Sequence, residues 1–142
     1  MDDQTKRQFI LGVASTTVFA QPALAASPIV YKFSPGVIED ALRQGRTVVA
    51  AYHAFWCSVC RRQERVIERI RRENPAYGQL YFVRIEWDDY RDLPVALDRD
   101  VFERSTILIL KGEREVNRVF AATSVRKIKS LLDEGVSAAR GS

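Results

Sequence analysis

The chain has 142 residues, of which 22 are Lys or Arg and 18 are Asp or Glu, giving a formal net charge of +4. Charges of both signs are interspersed, and no basic block carries interleaved aromatic residues, which argues against nucleic acid as a partner. Two cysteines and one histidine are too few soft ligands for a four-ligand zinc site within the chain.

The first 25 residues have the pattern of a bacterial export signal. Lys6-Arg7 precedes a mostly apolar run from Phe9 to Ala20, and an Ala-Leu-Ala cleavage site ends at Ala25. The segment Thr5–Ile10 also resembles the twin-arginine export motif, with lysine where the first arginine would be. The apolar run is too short for a comfortable transmembrane helix, so we expect no stable membrane insertion after cleavage. An uncleaved anchor is the alternative.

Removal of residues 1–25 would leave residues 26–142, which is enough for one small domain with a core and too little for two. We therefore expect a single domain in the periplasm. Because that compartment is oxidising, a cysteine pair there must be actively reduced if it is to act as a reductant.

The first half of this domain predicts helix, strand and helix. Ser34-Pro35 is a helix-start signal, and Gly45 ends that helix. The β-branched and aromatic run from Thr47 to Phe55 predicts a buried strand. After Arg61, aliphatic residues recur at helical spacing among charges, as far as Asn74-Pro75.

The second half predicts strand, short helix, β-hairpin and helix. Residues 80–87 are apolar and aromatic enough for a strand, and a short helical piece follows at residues 94–97. Residues 106–110 and 115–120 flank Lys-Gly-Glu and predict a hairpin. Ser124 caps a last amphipathic helix. The alternation indicates one α/β domain.

Both cysteines lie in Trp56-Cys57-Ser58-Val59-Cys60, where the predicted strand turns into a helix. Thiols this close can form a reversible disulfide, with the first sulfur exposed at the helix start. A c-type haem site needs histidine directly after the second cysteine, where this chain has arginine. A disulfide across two residues constrains the unfolded chain little, which disfavours a purely structural bridge. Redox chemistry is favoured; an inert disulfide and a metal shared with a partner are the alternatives.

Strand, Trp-Cys-x-x-Cys and helix in this order resemble the active site of the thioredoxin family. The resemblance covers roughly residues 37–136 and implies the thioredoxin fold, a central mixed β-sheet flanked by helices. It also implies a thiol–disulfide oxidoreductase that needs no cofactor or metal. In this hypothesis Cys57 is the attacking thiolate, and Cys60, one turn inside the helix, resolves the mixed disulfide.

Two positions depart from the family pattern. Ser105, between Arg104 and Thr106, stands where thioredoxins have a cis-proline. A cis peptide before a non-proline residue costs ~2.5–4 kcal/mol, so we expect a trans bond. Ala51 replaces the family's buried acid, so no carboxylate there can take the proton of Cys60. This Ser-Thr version resembles a subgroup of exported proteobacterial thioredoxin-like proteins.

Several neighbours are expected to shape the site. Trp56 should shield one flank of the sulfurs, and Arg61 and Arg62 should lower the pKa of Cys57 together with the helix dipole. The hydroxyl of Ser105 can hydrogen-bond the Cys57 thiolate, so Ser105→Pro should change client choice or potential more than folding. The full set of predicted site-shaping residues is Trp56, Ser58, Val59, Arg104, Ser105 and Thr106.

Two other polar residues near the motif are expected to play no direct part in the chemistry. His53 should line the core or rim and not touch the sulfur, a proton relay being the alternative. Asp88, at the end of the second strand, should be solvated at the surface, a charged neighbour of the site being the alternative.

Trp-Cys-x-x-Cys resembles reducing family members more than the strong periplasmic oxidants. The predicted function is therefore reduction of client protein disulfides, with a membrane thiol-electron carrier as the reductant. Three alternatives stay open: a thiol oxidase or isomerase of the same fold, a redox-inert adaptor, and a metal-handling module.

Overall fold

The computed structural model describes residues 29–141, so the predicted export signal lies outside the described residues. Within this range the chain forms five strands, five α-helices and one 3-10 helix. In chain order they are β1 (Tyr31–Lys32), α1 (Val37–Arg43), β2 (Thr47–His53), α2 (Ser58–Glu73), the 3-10 helix (Pro75–Gln79), β3 (Leu80–Glu86), α3 (Trp87–Tyr90), α4 (Pro94–Leu97), β4 (Thr106–Lys111), β5 (Arg114–Phe120) and α5 (Val125–Arg140).

The strands form one mixed sheet in the order β1-β3-β2-β4-β5. Strands β1, β2 and β3 run parallel, whereas β4 is antiparallel to β2 and to β5. Strand β2 lies at the centre and is buried on both faces, which explains why its sequence is a continuous apolar run and not an alternating one.

Two apolar cores cover the two faces of the sheet. On one face Ile38 of α1 and Val95 of α4 join alternate residues of the strands, including Val48 and Leu108. On the other face α2 and α5 cover the sheet and bury the apolar stripes that the sequence predicted; the buried members of this core in the two helices are Ile67, Ile70, Ile128, Leu131, Leu132 and Val136. The domain is thus a three-layer α/β structure.

The predicted helices and strands are present, with small differences at their ends. Strand β3 ends at Glu86, and Trp87 begins the short helix α3, so the expected strand was one residue too long. Strand β1, the 3-10 helix and α3 were not predicted. Among residues 29–141, no helix combines the length and apolar character needed to cross a membrane.

The fold places the cysteines at the carboxyl end of the central strand. Strand β2 ends at His53, a short loop follows, and Cys57 is the N-cap residue of α2. Helix α2 then presents a buried stripe that begins at Cys60 and continues through Gln63 to Ile67 and Ile70. The second cysteine is therefore held against the sheet, while the first lies at the N-terminus of the helix.

Candidate active site

Both cysteines are free thiols at the first turn of α2. The Cys57 sulfur caps the helix, because it accepts a hydrogen bond from the amide of Cys60 at 3.2 Å. This geometry aims the positive end of the helix at the sulfur that was predicted to attack.

Ser105 lies between the two sulfurs. Its hydroxyl oxygen is 3.3 Å from the Cys57 sulfur and 3.1 Å from the Cys60 sulfur, and the residue is 4% exposed. No cis peptide bond is present among residues 29–141, in line with the expected trans bond before Ser105. The residue that stands in for the family's cis-proline thus brings a hydroxyl into direct contact with both thiols.

The backbone of Ser105 argues against the prediction that Ser105→Pro changes redox properties more than folding. Its φ is +67°, in the left-handed region, whereas proline requires φ near −65°. Its amide also donates to the carbonyl of Tyr52 at 2.9 Å, a bond that proline lacks. Proline here would therefore displace the backbone, and folding would suffer together with redox properties.

Gln63 holds this loop in place and was not singled out in the sequence. It is buried, and its side-chain amide donates to the carbonyls of Ser105 and Ala122, both at 3.0 Å. The signal was available in the helical spacing, because Gln63 lies on the same stripe as Cys60 and Ile67. A polar residue within a buried stripe indicates that its side chain hydrogen-bonds to a specific partner.

Cys57 is less accessible than predicted. The residue is only 5% exposed, whereas the sequence suggested an exposed sulfur. The Arg104 guanidinium lies over the Trp56 ring, 4.4 Å from its centroid, and is one of the groups that lower the pKa of Cys57. The indole nitrogen of Trp56 in turn donates to Asp88 at 2.7 Å, so Asp88 anchors the ring and is not merely solvated.

The two thiols have opposite pKa shifts. Burial raises the pKa of Cys57, but hydrogen bonds from the Cys60 thiol, Ser105, the Cys60 amide and Arg104 outweigh burial and lower that pKa to about 7. Burial raises the pKa of Cys60, and the shared proton with Cys57 raises it further. The first thiol is therefore ready to ionise near neutral pH, whereas the second keeps its proton.

The arginine that lowers the pKa of Cys57 is Arg104. Arg61 instead donates to the carbonyl of Phe55 at 2.7 Å, so its guanidinium is directed to the loop backbone. Arg62 is exposed on α2. The prediction that Arg61 and Arg62 supply the stabilising charge is not supported by these contacts.

The remaining predicted residues surround the site without touching a sulfur through a hydrogen bond. Ser58 is exposed, and Val59 is half-buried against the core that contains both cysteines. The hydroxyl of Thr106 donates to the carbonyl of Glu103 at 2.7 Å and so ties the loop before β4. Among residues 29–141, no group of three or more His, Cys, Asp or Glu side chains is placed to share a metal ion.

A mixed sheet with a Cys-x-x-Cys pair at the helix that follows its central strand is the fold of thiol–disulfide oxidoreductases. Over 100 residues the chain is 33% identical to Thioredoxin H4-2 of Oryza sativa subsp. japonica, which covers 68% of this chain and 71% of that protein. It is 30% identical to Thioredoxin-1 of Saccharomyces cerevisiae over 84 residues, covering 59% and 77% of the two chains. No family model matches the sequence.

Solved structures agree. Trxlp from Edwardsiella tarda superposes with a TM-score of 0.66 at 26% identity, over 73% of this chain and 98% of that chain. Thioredoxin from Trypanosoma brucei brucei superposes with a TM-score of 0.65 at 19% identity, over 82% and 99% of the two chains. The chain belongs to the thioredoxin family and has the thioredoxin fold, as its sequence predicted.

Proposed function

We propose that this protein is a periplasmic protein-disulfide reductase that cycles between the Cys57/Cys60 dithiol and disulfide. The observation that carries the proposal is the inequivalence of the two sulfurs. Cys57 caps a helix and has a pKa lowered to about 7, while Cys60 is buried one turn inside with a raised pKa. A low-pKa thiol is the nucleophile in disulfide exchange, and a protonated neighbour is held back for the second step.

The exchange proceeds in two displacements. The Cys57 thiolate attacks one sulfur of a client disulfide, a Cys57–client bond forms, and the client's own bond breaks to release a thiolate that takes a proton from solvent. Cys60 then loses its proton and attacks the Cys57 sulfur, which expels the second client thiol. The client gains two electrons and two protons, and the protein is left with a Cys57–Cys60 disulfide.

The Cys57 pKa supports a reducing direction of electron flow. In strong oxidants the attacking cysteine has a pKa of ~3.5, because a stabilised thiolate stabilises the reduced protein. The corresponding cysteine of thioredoxin has a pKa of ~7. The value of about 7 for Cys57 supports a reducing couple. We therefore expect a reduction potential nearer −270 mV than the roughly −120 mV of the strong oxidants.

Residues 1–25 support the location, because their basic, apolar and small-residue segments fit an export signal cleaved after Ala25. Ser105-Thr106 before β4 supports membership of the exported proteobacterial subgroup. In the oxidising periplasm the couple needs a source of electrons, and a membrane thiol-electron carrier is the proposed partner.

The burial of Cys57 favours a second candidate, a redox-inert adaptor. An attacking thiol must be reached by its client, yet Cys57 is only 5% exposed. Phe55 is 74% exposed and Trp56 48% exposed, so the same loop offers an apolar surface to a partner. Substitution of both cysteines by serine would leave an adaptor's affinity for its partner intact.

The test is to trap the first intermediate. Cys60→Ser should accumulate a covalent client complex that dithiothreitol reverses, because no thiol remains to resolve it, and Cys57→Ser should accumulate none. Equal alkylation rates at the two cysteines together with no trapped complex would reject catalysis. A measured potential above about −180 mV, the value of the disulfide isomerase, would instead favour the isomerase or oxidase alternative.

A further inference from the structure

The chain's single histidine is buried and lines the same cavity as the second cysteine. His53, the last residue of β2, is 7% exposed, and within residues 29–141 neither ring nitrogen has a hydrogen-bond partner. A buried polar group without a partner costs on the order of 1–3 kcal/mol, so its retention needs an explanation. Its nearest charged group is the Glu64 carboxylate, 3.5 Å from Nε2, an ion-pair distance too long for a good hydrogen bond.

A cavity of about 50 Å³ joins this imidazole to the site. His53 and Cys60 both line it, and its other walls include the apolar side chains of Ile67 and Phe82. This volume is large enough for one water molecule, which occupies ~30 Å³ in the liquid. A buried water needs two or more polar partners to be bound stably. Cys60, His53 and Glu64 line the cavity and carry polar groups of this kind.

We propose that His53 accepts the proton of the Cys60 thiol, across this cavity, when Cys60 attacks the mixed disulfide. Cys60 needs an acceptor, because burial holds its pKa above that of a free thiol. Ala51 lines the same cavity and supplies no carboxylate. Glu64, the carboxylate on the cavity wall, already accepts a hydrogen bond from Arg84 at 3.0 Å. Of the residues that line the cavity with Cys60, His53 is the one whose side chain can act as a neutral base.

The charges around His53 suit a neutral base. Burial lowers its pKa, and Glu64 on α2 raises it; Arg84 and Glu86 on β3 and Arg61 on α2 act with smaller and opposing effects. The imidazole is therefore neutral at neutral pH and free to take a proton. Glu64, which is exposed, then offers the imidazolium a route by which that proton reaches solvent.

The proposed step balances as follows. The Cys60 S–H bond breaks and its proton goes to an imidazole nitrogen of His53, while the new thiolate forms a bond with the Cys57 sulfur. The Cys57–client bond breaks, and the client sulfur leaves as a thiolate that takes a proton from solvent. The imidazolium returns its proton to solvent past Glu64. This step rests on the proposed dithiol cycle.

The test separates the two displacements in a single turnover with dithiobis(nitrobenzoate), which releases one coloured thiolate per displacement. Wild-type protein should show both releases, the second half-maximal at a pH below the ~6.5 of free histidine. In His53→Gln the first release should stay within about twofold. The second should fall about 100-fold at neutral pH and recover as pH rises, since loss of a general base costs 10²–10⁴-fold. Ile67→Val, which alters the same cavity without a titrating group, should change neither release more than twofold.

An unchanged second release in His53→Gln, or equal losses in both releases, would overturn the inference and leave the proposed function standing. Absence of the first release in the wild type would refute the proposed function and the inference with it. A second readout needs no variant: in tag-free protein the imidazole NMR signal belongs to His53 alone. Its titration midpoint should differ between the dithiol and disulfide forms, and identical midpoints would also overturn the inference.

Discussion

Ser105→Ala removes the hydroxyl that contacts both sulfurs and should raise the pKa of Cys57. The hydroxyl oxygen is 3.3 Å from the Cys57 sulfur in a buried position, so water does not replace it readily. A hydrogen bond to a charged group contributes about 1.5–3 kcal/mol, and we take the low end because sulfur is a weak acceptor. At 1.36 kcal/mol per pKa unit, this corresponds to a rise of about one unit.

The readout has to be a titration and not a single rate. With the pKa moved up one unit from about 7, the thiolate fraction at pH 7 falls about fivefold. A more basic thiolate is also more nucleophilic, by roughly threefold per pKa unit, so the net loss of rate is only about twofold. Iodoacetamide alkylation of the reduced protein, followed across pH with peptide mapping of each cysteine, resolves the midpoint for Cys57 itself.

Ser58→Ala is the matched control, since Ser58 is the neighbouring hydroxyl on the first turn of α2 and is exposed. It should leave the midpoint within about 0.3 units, well below the shift of one hydrogen bond. A Ser105→Ala midpoint equal to that of wild type, or a shift of the same size in Ser58→Ala, would refute the assignment of Ser105 as the donor to the thiolate.

Two further predictions concern polar groups that stabilise the fold. Gln63→Leu removes the donor to the carbonyls of Ser105 and Ala122, so the free energy of unfolding in urea should fall by about 1–3 kcal/mol and the midpoint of the Cys57 titration should rise. Arg65→Leu, at an exposed position of the same helix, is the control and should change neither quantity. An unchanged Cys57 midpoint in Gln63→Leu would contradict the role of Gln63. Tyr77→Phe removes a 2.5 Å hydrogen bond to Asp133 and should cost about 1.5 kcal/mol at neutral pH. Burial raises the pKa of Asp133, but hydrogen bonds from Lys129 and Tyr77 outweigh it and lower that pKa. The stabilisation from this hydrogen bond is therefore complete above the pKa of ~3.9 that Asp133 has in the unfolded chain, and it is lost as pH falls through the lower pKa of the folded state. If urea melts at pH 2 still showed Tyr77→Phe to be less stable than wild type by the same amount, this account would be contradicted.

Elements with local signals were predicted correctly from the sequence. Helix α5 begins where Ser124 was expected to cap it, and the serine hydroxyl accepts from the amide of Lys127. The hairpin of β4 and β5 likewise has Gly112 in the turn between its two strands, as predicted. Helix caps, hydrophobic periodicity and turn residues all act within a few positions of the chain, so each of these elements can be predicted from its own segment.

Elements that depend on distant partners were missed. Strand β1 has two residues, and it exists because Tyr31 and Lys32 pair with Val83 and Arg84 of β3, far along the chain. Nothing in its own sequence distinguishes it from the linker expected there. The predicted accessibility of Cys57 was wrong for the same reason, because Ser105, which lies 3.3 Å from its sulfur, comes from a distant part of the chain.

The sequence by itself determined the class of chemistry. Two thiols at Cys57 and Cys60, after a buried strand and at the start of a helix, are enough to place a redox-capable pair. The tertiary structure decided how those thiols ionise. Ser105, 48 residues from Cys57, provides the hydroxyl, and Gln63 holds it in place. A pKa depends on burial and on hydrogen bonds from whatever the fold brings within reach, and no spacing along the chain reports that.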